Sequence, residues 1–258
     1  MRLLRGSCIA ASVGLMAGIC AADVFESGIA LEDPDFTRSA SVLTPGRLQL
    51  EMGFGFAYGG GGASTRSWTL PEALVRVGVV EGLELQLGAP SWEWRRDEHG
   101  RHEGATDAAV GAKLQLLEQD GWIPDVAALG FITLPTATDS LGANSVQAGG
   151  GVGVSYDFAH GIEFDADFIV SSQRIEGENF TEFELVLSAS FPIVDGLDLV
   201  AEYTGQFRSG GGDGPEHFLG PGLSYDITER IVLDCVVGFG LNDLSDDVVV
   251  GVLLSVLF

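Results

Sequence analysis

Residues 47–58 read RLQLEMGFGFAY, and their side chains alternate between two classes along the whole segment. Large apolar side chains fill every second position from Leu48 to Tyr58, while Arg47, Glu51 and small or polar residues fill the positions between them. Successive side chains of a β-strand point to opposite faces, so this period of two predicts a strand with one apolar and one polar face. A tilted strand needs about 9–11 residues to cross a bilayer, and this segment is long enough.

The same alternation recurs through the rest of the chain. No later segment reaches the roughly 18 consecutive apolar residues of a transmembrane helix. The links between the alternating runs also differ in length: short turns such as 80–82 follow the even runs, and longer links such as 95–105 follow most odd runs. Short periplasmic turns and longer extracellular loops are typical of outer-membrane barrels. The predicted strands lie near 47–58, 67–79, 83–94, 106–118, 123–135, 146–157, 162–173, 180–191, 197–208, 216–226, 231–241 and 248–258.

These runs predict an all-β protein: a single transmembrane antiparallel up-and-down β-barrel of the outer-membrane type, with about 12 strands, at residues 47–258. The alternative is a soluble all-β sandwich or barrel, in which the apolar faces would point inward. Run length favours the membrane barrel, because soluble strands average about 5–6 residues. Aromatic residues at the ends of the runs, such as Tyr58 and Tyr225, match the interfacial girdles of membrane barrels.

The N-terminus has the three parts of a secretory signal. Arg2 and Arg5 precede an apolar run, and small residues around Ala22 offer a cleavage site. We therefore expect a signal peptide at 1–22, followed by a periplasmic leader or plug at 23–46. The expected location is the outer membrane of a Gram-negative-type bacterium, as a multi-pass β-barrel after signal cleavage, with both ends of the barrel chain in the periplasm.

Composition limits the partners. The chain has 37 Asp and Glu against 13 Lys and Arg, which gives a formal net charge of −24. Phosphate backbones would be repelled, so no general nucleic-acid binding is expected. The expected partners are outer-membrane lipid, a small-molecule solute and the barrel-assembly machinery. The last is expected to bind the C-terminal strand, because that strand ends on Phe258, a terminus typical of bacterial outer-membrane proteins.

Charged residues on the polar faces of the runs are expected to line the barrel interior, because a base facing lipid near the midplane costs about 2–4 kcal/mol. Acids outnumber bases in this set, most clearly on the seventh to ninth runs. Two interpretations stay open: a polar core that only stabilises the barrel, or a lumen that favours cations. The predicted lumen-lining residues are Arg47, Glu51, Arg76, Glu84, Asp107, Lys113, Glu163, Asp165, Asp167, Glu182, Glu184, Asp198, Glu202, Arg208 and Asp234.

The sequence offers little sign of catalytic chemistry. It contains no P-loop, dinucleotide-binding fingerprint, zinc-type Cys/His spacing or nucleophile elbow, so neither a cofactor nor an enzymatic activity is expected. His99 and His102 could hold a metal, but a solvated charged loop is the preferred interpretation. A lipid hydrolase would need Ser and His adjacent near the outer leaflet. His217 lies at the outer end of its run, and the next residue on its face is Leu219 rather than a serine.

Several short motifs, in order along the chain, connect the sequence to a known family. Over most of residues 36–258 it resembles the outer-membrane transporter family named for the meta-pathway of phenol degradation. The resemblance implies transport linked to the catabolism of aromatic compounds. The motifs are Thr44-Pro45-Gly46, Leu70-Pro71, Asp107 with Val110-Gly111-Ala112-Lys113, Leu134-Pro135-Thr136, and the glycine-rich segment 149–157.

The predicted function is therefore that of a passive outer-membrane transporter or channel for small solutes, with aromatic solutes implied by the resemblance. Solutes would diffuse through the interior, and lining charge and constriction would set selectivity. The alternative is a non-conducting structural or adhesion barrel whose interior is filled by its own side chains or by the leader 23–46. An outer-membrane lipid hydrolase is the least favoured alternative.

Overall fold

The computed structural model describes residues 40–59, 65–97, 100–138, 141–175, 178–209 and 214–258. The predicted signal peptide at 1–22 and the leader residues before 40 lie outside the described residues, as does His99. Within the described ranges, no helix has the length and apolar character needed to cross a membrane.

The described residues form one closed antiparallel sheet. β1 pairs with β2 on one side and with β14 on the other, which closes the ring. The ring has twelve positions, so the predicted all-β, twelve-strand barrel is confirmed. The strands are β1 (Leu48–Gly59), β2 (Thr65–Val80), β3 (Leu83–Ala89), β4 (Trp92–Asp97), β5 (Gly100–Ala105), β6 (Ala108–Leu117), β7 (Asp125–Leu134), β8 (Gln147–Asp157), β9 (Glu163–Ile175), β10 (Glu178–Val194), β11 (Leu197–Ser209), β12 (Glu216–Thr228), β13 (Ile231–Gly240) and β14 (Val248–Leu257).

Two of the twelve positions are each built from two strands: β3 and β4 form one position, and β5 and β6 form the next. β2 pairs with β3 along one half and with β4 along the other. The break between β3 and β4 falls at Pro90 and Ser91, because proline has no N–H to donate to a neighbouring strand. The Ser91 N–H instead donates to Thr106 Oγ1 at 2.9 Å, and the Thr106 N–H donates to the Ser91 carbonyl oxygen at 2.8 Å.

The prediction of a long loop at 95–105 is wrong. Most of this segment belongs to the β4–β5 hairpin, which pairs with the end of β2 that lies beyond β3. Alternation continues past Trp94 to Arg96, and the 16-residue β2 offers an edge on which the hairpin can form. Of the connections between described strands, the longest is instead the one at 135–146, between β7 and β8.

The barrel has its apolar faces outside and its polar faces inside. Outward-facing Leu87 and Phe168 are about half exposed, at 53% and 50%, whereas inward-facing Glu51 and Asp165 are 0% exposed. A soluble barrel has the opposite arrangement, with an apolar core. The apolar belt therefore lies on the outside of the barrel, where the alternation predicts contact with lipid.

Adjacent positions on β9 test this orientation at a single depth. The Cys235→Ser substitution first removes the free cysteine at position 235. A nitroxide label would then be attached to a single cysteine introduced by Phe168→Cys or by Ile169→Cys. Oxygen, which concentrates in lipid, should relax the label at 168 at least about twofold more strongly than the label at 169. Ile169 is the matched control because it is apolar yet points inward and is buried. Equal oxygen accessibility at both sites would contradict the orientation.

Candidate functional site: the barrel interior

The predicted lumen-lining residues fall into two groups by exposure. Nine of the fifteen are buried, and seven of those nine are acidic: Glu51, Arg76, Glu84, Lys113, Glu163, Asp165, Asp167, Glu202 and Asp234. The other six are half-buried and lie nearer the ends of the barrel or between strands: Arg47, Asp107, Glu182, Glu184, Asp198 and Arg208.

A network of buried charges lies where β1, β2 and β3 run side by side. Arg76 Nε donates to Glu84 Oε1 at 2.7 Å, and Arg76 Nη1 donates to Glu51 Oε1 at 3.1 Å. All three side chains are fully buried. Gln49 and Gln86 add hydrogen bonds to the two carboxylates at 2.7 and 2.9 Å. One guanidinium group therefore binds two carboxylates in a region that water does not reach.

The opposite part of the ring carries an acidic row at one level. Strand register aligns Asp165 with Ser155 on one side and with Ser188 on the other, and Ser188 is also aligned with Glu202. The Ser155 hydroxyl donates to the Asp165 carboxylate. Glu163 and Asp167 lie on the same face of β9 as Asp165. Four acids from two strands thus form one wall.

One cavity beside this wall is small. A cavity of about 10 Å³ is lined by both charged and apolar residues, enough room for about one water molecule. Lys113 and Asp167 both line it, so the structure brings together one predicted base and one predicted acid. The lining residues are Lys113, Ala127, Leu129, Gly151, Val152, Gly153, Asp167 and Ile169.

Residues 40–46 run along the inner wall at the short-turn end of the barrel. The Ala40 N–H donates to Ser155 Oγ on β8 at 2.9 Å, and the Leu43 N–H donates to Glu84 Oε2 on β3 at 3.0 Å. Lys113 Nζ on β6 donates to the Ser41 carbonyl oxygen at 3.3 Å. The segment therefore spans neighbouring ring positions from β8 to β3.

A glycine on β2 makes room for this segment. A Cβ atom placed on Gly78 would lie 2.2 Å from the Thr44 carbonyl oxygen, so only glycine allows such close approach. The Gly46 N–H donates to the Gly78 carbonyl oxygen at 2.9 Å, which holds the two chains together. Ala40 and Leu43 are buried. Residues 40–43 are thus packed into the lumen, whereas residues 44–46 are exposed and lead into β1.

At the long-loop end, predicted lumen residues organise the mouth. Asp107 lies between β5 and β6 rather than inside a strand, and its carboxylate accepts hydrogen bonds from the N–H groups of Thr136 and Ala137, both at 2.8 Å. Arg208 bridges Glu182 at 2.9 Å and Glu216 at 3.0 Å. These contacts fix the 135–146 connection and the ends of β10 to β12.

The connection between β13 and β14 is also held at this mouth. Thr65 Oγ1 donates to Asp246 Oδ1 at 3.2 Å. Burial raises the pKa of the Asp246 carboxyl above its ordinary value, and the hydrogen bond from Thr65 partly opposes that rise. Ser245 in the same connection is buried as well. The loop thus folds over the barrel rim.

Some interior residues escaped the sequence analysis. Glu93 is 4% exposed and faces inward, and its Oε1 lies 2.6 Å from Arg95 Nη2. The break at Pro90 and Ser91 shifts the alternation, so Glu93 faces inward although its sequence parity is opposite to that of Glu84. Glu72 on β2 is a second interior residue that the sequence analysis missed. It lies four residues before Arg76, so the alternation of faces could have assigned it to the interior.

Two aromatic side chains also point inward among the polar ones. Phe218 is aligned with the interior residue Thr204 and is buried. The Phe131 ring lies against Gly149, where an added Cβ would be 2.2 Å from the ring. The interior therefore contains aromatic side chains as well as carboxylates.

The side-chain positions of the described residues, which do not include His99, give no support to the metal and hydrolase alternatives. Among the described residues, no group of three or more His, Cys, Asp or Glu side chains is arranged to hold a metal ion. His217 Nδ1 is 2.8 Å from Tyr203 Oη. Ser245 Oγ donates to the carbonyl oxygen of His217, at 3.0 Å, and accepts from its backbone N–H, so its recorded bonds to His217 are with the backbone.

Comparison with known proteins identifies the family. The family described as "Putative MetA-pathway of phenol degradation" matches residues 32–258. The chain belongs to this family. The resemblance seen in its short motifs is thereby confirmed. Among curated proteins, no significant match is found.

Solved structures similar to this chain are outer-membrane barrels. The NanC porin is 12% identical with a TM-score of 0.51, over 82% of this chain and 98% of that one. The β-domain of the Bordetella autotransporter BrkA is 10% identical with a TM-score of 0.51, over 83% and 100%. The transport unit of the Escherichia coli autotransporter AIDA-I is 9% identical with a TM-score of 0.50, over 82% and 88%. Together with the outward apolar belt, this shared fold places the chain in an outer membrane.

Proposed function

We propose that the protein is a passive outer-membrane channel for small solutes, with an interior that favours cations. The observation that carries this proposal is the acidic wall of β9 and β11, where Asp165 and Glu202 lie at one level on either side of Ser188. Carboxylates between low-dielectric walls focus the field and raise the local concentration of cations. Membership of a family named for phenol degradation supports a role in solute entry.

Reversal potentials in planar bilayers test the charge preference. The Asp165→Asn/Glu202→Gln variant keeps the shapes of both side chains and removes both charges. We expect the ratio of cation to anion permeability to fall at least about twofold, since the focused negative potential weakens. The matched control is Asp195→Asn/Glu229→Gln, which removes two acids from exposed turns. An anion-selective wild type, or equal ratios in the two variants, would contradict the proposal.

The solute class is proposed to include small aromatic cations. The family's description points to aromatic compounds, and Phe131 and Phe218 place aromatic rings inside the barrel, where an aromatic solute could displace neighbouring side chains and stack. Liposome swelling would compare benzyltrimethylammonium with benzenesulfonate, two aromatic ions whose charges do not change with pH. We expect the cation to enter faster, and Phe218→Ala to reduce this entry more than that of tetramethylammonium. Equal entry of the two aromatic ions would contradict this part of the proposal.

A second candidate function is a non-conducting structural or adhesion barrel. Two observations favour it: the buried network around Arg76, and the packing of residues 40–43 inside the lumen. Single-channel conductance separates the candidates, since a filled barrel would carry no resolvable current. In neither case do we propose an enzyme.

A further inference from the structure

A row of arginines crosses the outward face of the β2–β4–β5 sheet. Strand register aligns Arg66 with Arg96, and Arg96 with Arg101. All three are exposed. Among the described residues, the recorded ion pairs of other arginines join Arg76, Arg95 and Arg208 to glutamates, and none involves this row. In a chain of net charge −24, this is a local concentration of positive charge.

Tryptophans form the next row on the same face. Trp68 is aligned with Trp94 in this row. Trp92 lies two residues away on β4, aligned with Leu70, and its ring centroid is 6.3 Å from that of Trp94. These are three of the four tryptophans in the chain. Trp68 also packs on Phe56 of β1, with centroids 4.3 Å apart. Glu103, aligned with Trp94, is the one acid that register places in this row.

The two rows lie at the edge of the lipid-facing belt, at the long-loop end. Register places Trp68 beside Phe56, and Arg66 beside Tyr58, which is in turn beside Val248 of β14. The Arg66 guanidinium lies 5.6 Å from the centre of the Tyr58 ring. Tryptophan and tyrosine concentrate at the membrane–water interface. The arginine row therefore lies at the level of lipid headgroups, and the tryptophan row at the level where acyl chains begin.

A cleft connects the two rows. It has a volume of about 510 Å³ and opens to the exterior. A guanidinium group can donate two parallel hydrogen bonds to a phosphate, so a row of three suits a headgroup with more than one phosphate. Aromatic side chains below would contact its acyl chains. The cleft is lined by Arg66, Trp68, Trp94, Arg95, Arg96, Gly100 and Arg101.

We propose that this face, which we name the Arg–Trp patch (Arg66, Trp68, Trp92, Trp94, Arg96 and Arg101), binds a phosphorylated glycolipid of the outer leaflet, the lipid A part of lipopolysaccharide. Charge complementarity and the level of the patch in the membrane support this occupant. The proposal is independent of conduction, because the patch lies outside the lumen.

Binding of purified protein to lipid A tests the proposal. The full chain in uncharged detergent would be titrated with bisphosphorylated lipid A and with chemically dephosphorylated lipid A, and tryptophan fluorescence would report binding. We expect the phosphorylated form to bind at least about tenfold more tightly. The Arg66→Gln/Arg96→Gln/Arg101→Gln variant should lose this advantage. The Arg47→Gln/Arg230→Gln control removes two arginines near the short-turn end and should retain it.

Three results would overturn the proposal. The triple variant could bind phosphorylated lipid A as tightly as the wild type, or both forms of lipid A could bind equally. Vesicles of phosphatidylglycerol could also bind with the same affinity and the same loss in the triple variant, which would indicate attraction to any anionic lipid. Resistance of the folded barrel to unfolding in SDS gives a separate readout, so a variant that fails to fold is recognised. In that case, single Arg66→Gln and Arg96→Gln variants carry the test, each with an expected loss of about threefold.

Discussion

Replacing Arg76 with alanine is expected to lower the free energy of unfolding of the barrel by about 3–5 kcal/mol. The side chains of Arg76, Glu51 and Glu84 are all 0% exposed, and the guanidinium is the only cation in direct contact with both carboxylates among the described residues. Its removal would leave two carboxylates in a water-excluded region without their charge partner. Urea unfolding of the protein in lipid vesicles, followed by tryptophan fluorescence, measures the loss.

Two controls separate this effect from simple loss of volume. Adding Glu51→Gln and Glu84→Gln to the Arg76→Ala variant should recover a large part of the loss, because no unpaired charge then remains. Arg208→Ala should cost less, about 1 kcal/mol, since Arg208 also bridges two glutamates but lies near the long-loop mouth, where the three side chains are 9–17% exposed and water partly screens the charges. Equal losses at Arg76 and Arg208 would mean that burial of the network has little energetic consequence.

The sequence predicts most of the barrel because one physical rule governs nearly every strand. Lipid outside and polar groups inside require strict alternation, so Leu48 to Tyr58 on β1 and the acids of β9 could be assigned to faces directly. The rule fails where the strand itself is interrupted. At Pro90 and Ser91 the alternation shifts, and Glu93 changes face relative to its sequence parity.

Alternation also says nothing about what fills the interior. It assigns Arg76, Glu84 and Lys113 to the same side of the sheet, but the distances between them depend on strand register, which turns and bulges set. The contacts of Ala40 and Leu43 depend on where a segment without regular structure comes to rest. Such contacts join residues far apart in sequence, and no local periodicity encodes them.

Removal of residues 23–43, with the signal segment 1–22 kept for export, is expected to raise single-channel conductance roughly tenfold. Residues 40–43 occupy the lumen at the short-turn end, where Ala40 is 0% and Leu43 is 4% exposed. A narrow constriction dominates the resistance of a pore, so emptying it has a large effect on current. Conductance of purified protein in planar bilayers gives the measurement.

The matched control lacks only residues 23–39 and keeps the segment that binds Ser155, Lys113 and Glu84. Its conductance should stay close to that of the full mature chain. Gly78→Val provides a second route without a deletion, because its side chain would collide with the Thr44 carbonyl oxygen and displace the segment from the wall. We expect this variant to conduct like the longer truncation. If both truncations conduct alike, residues 40–43 are not the constriction. If none of the variants passes current, the interior packing around Arg76 closes the barrel by itself, and the non-conducting function is the correct one.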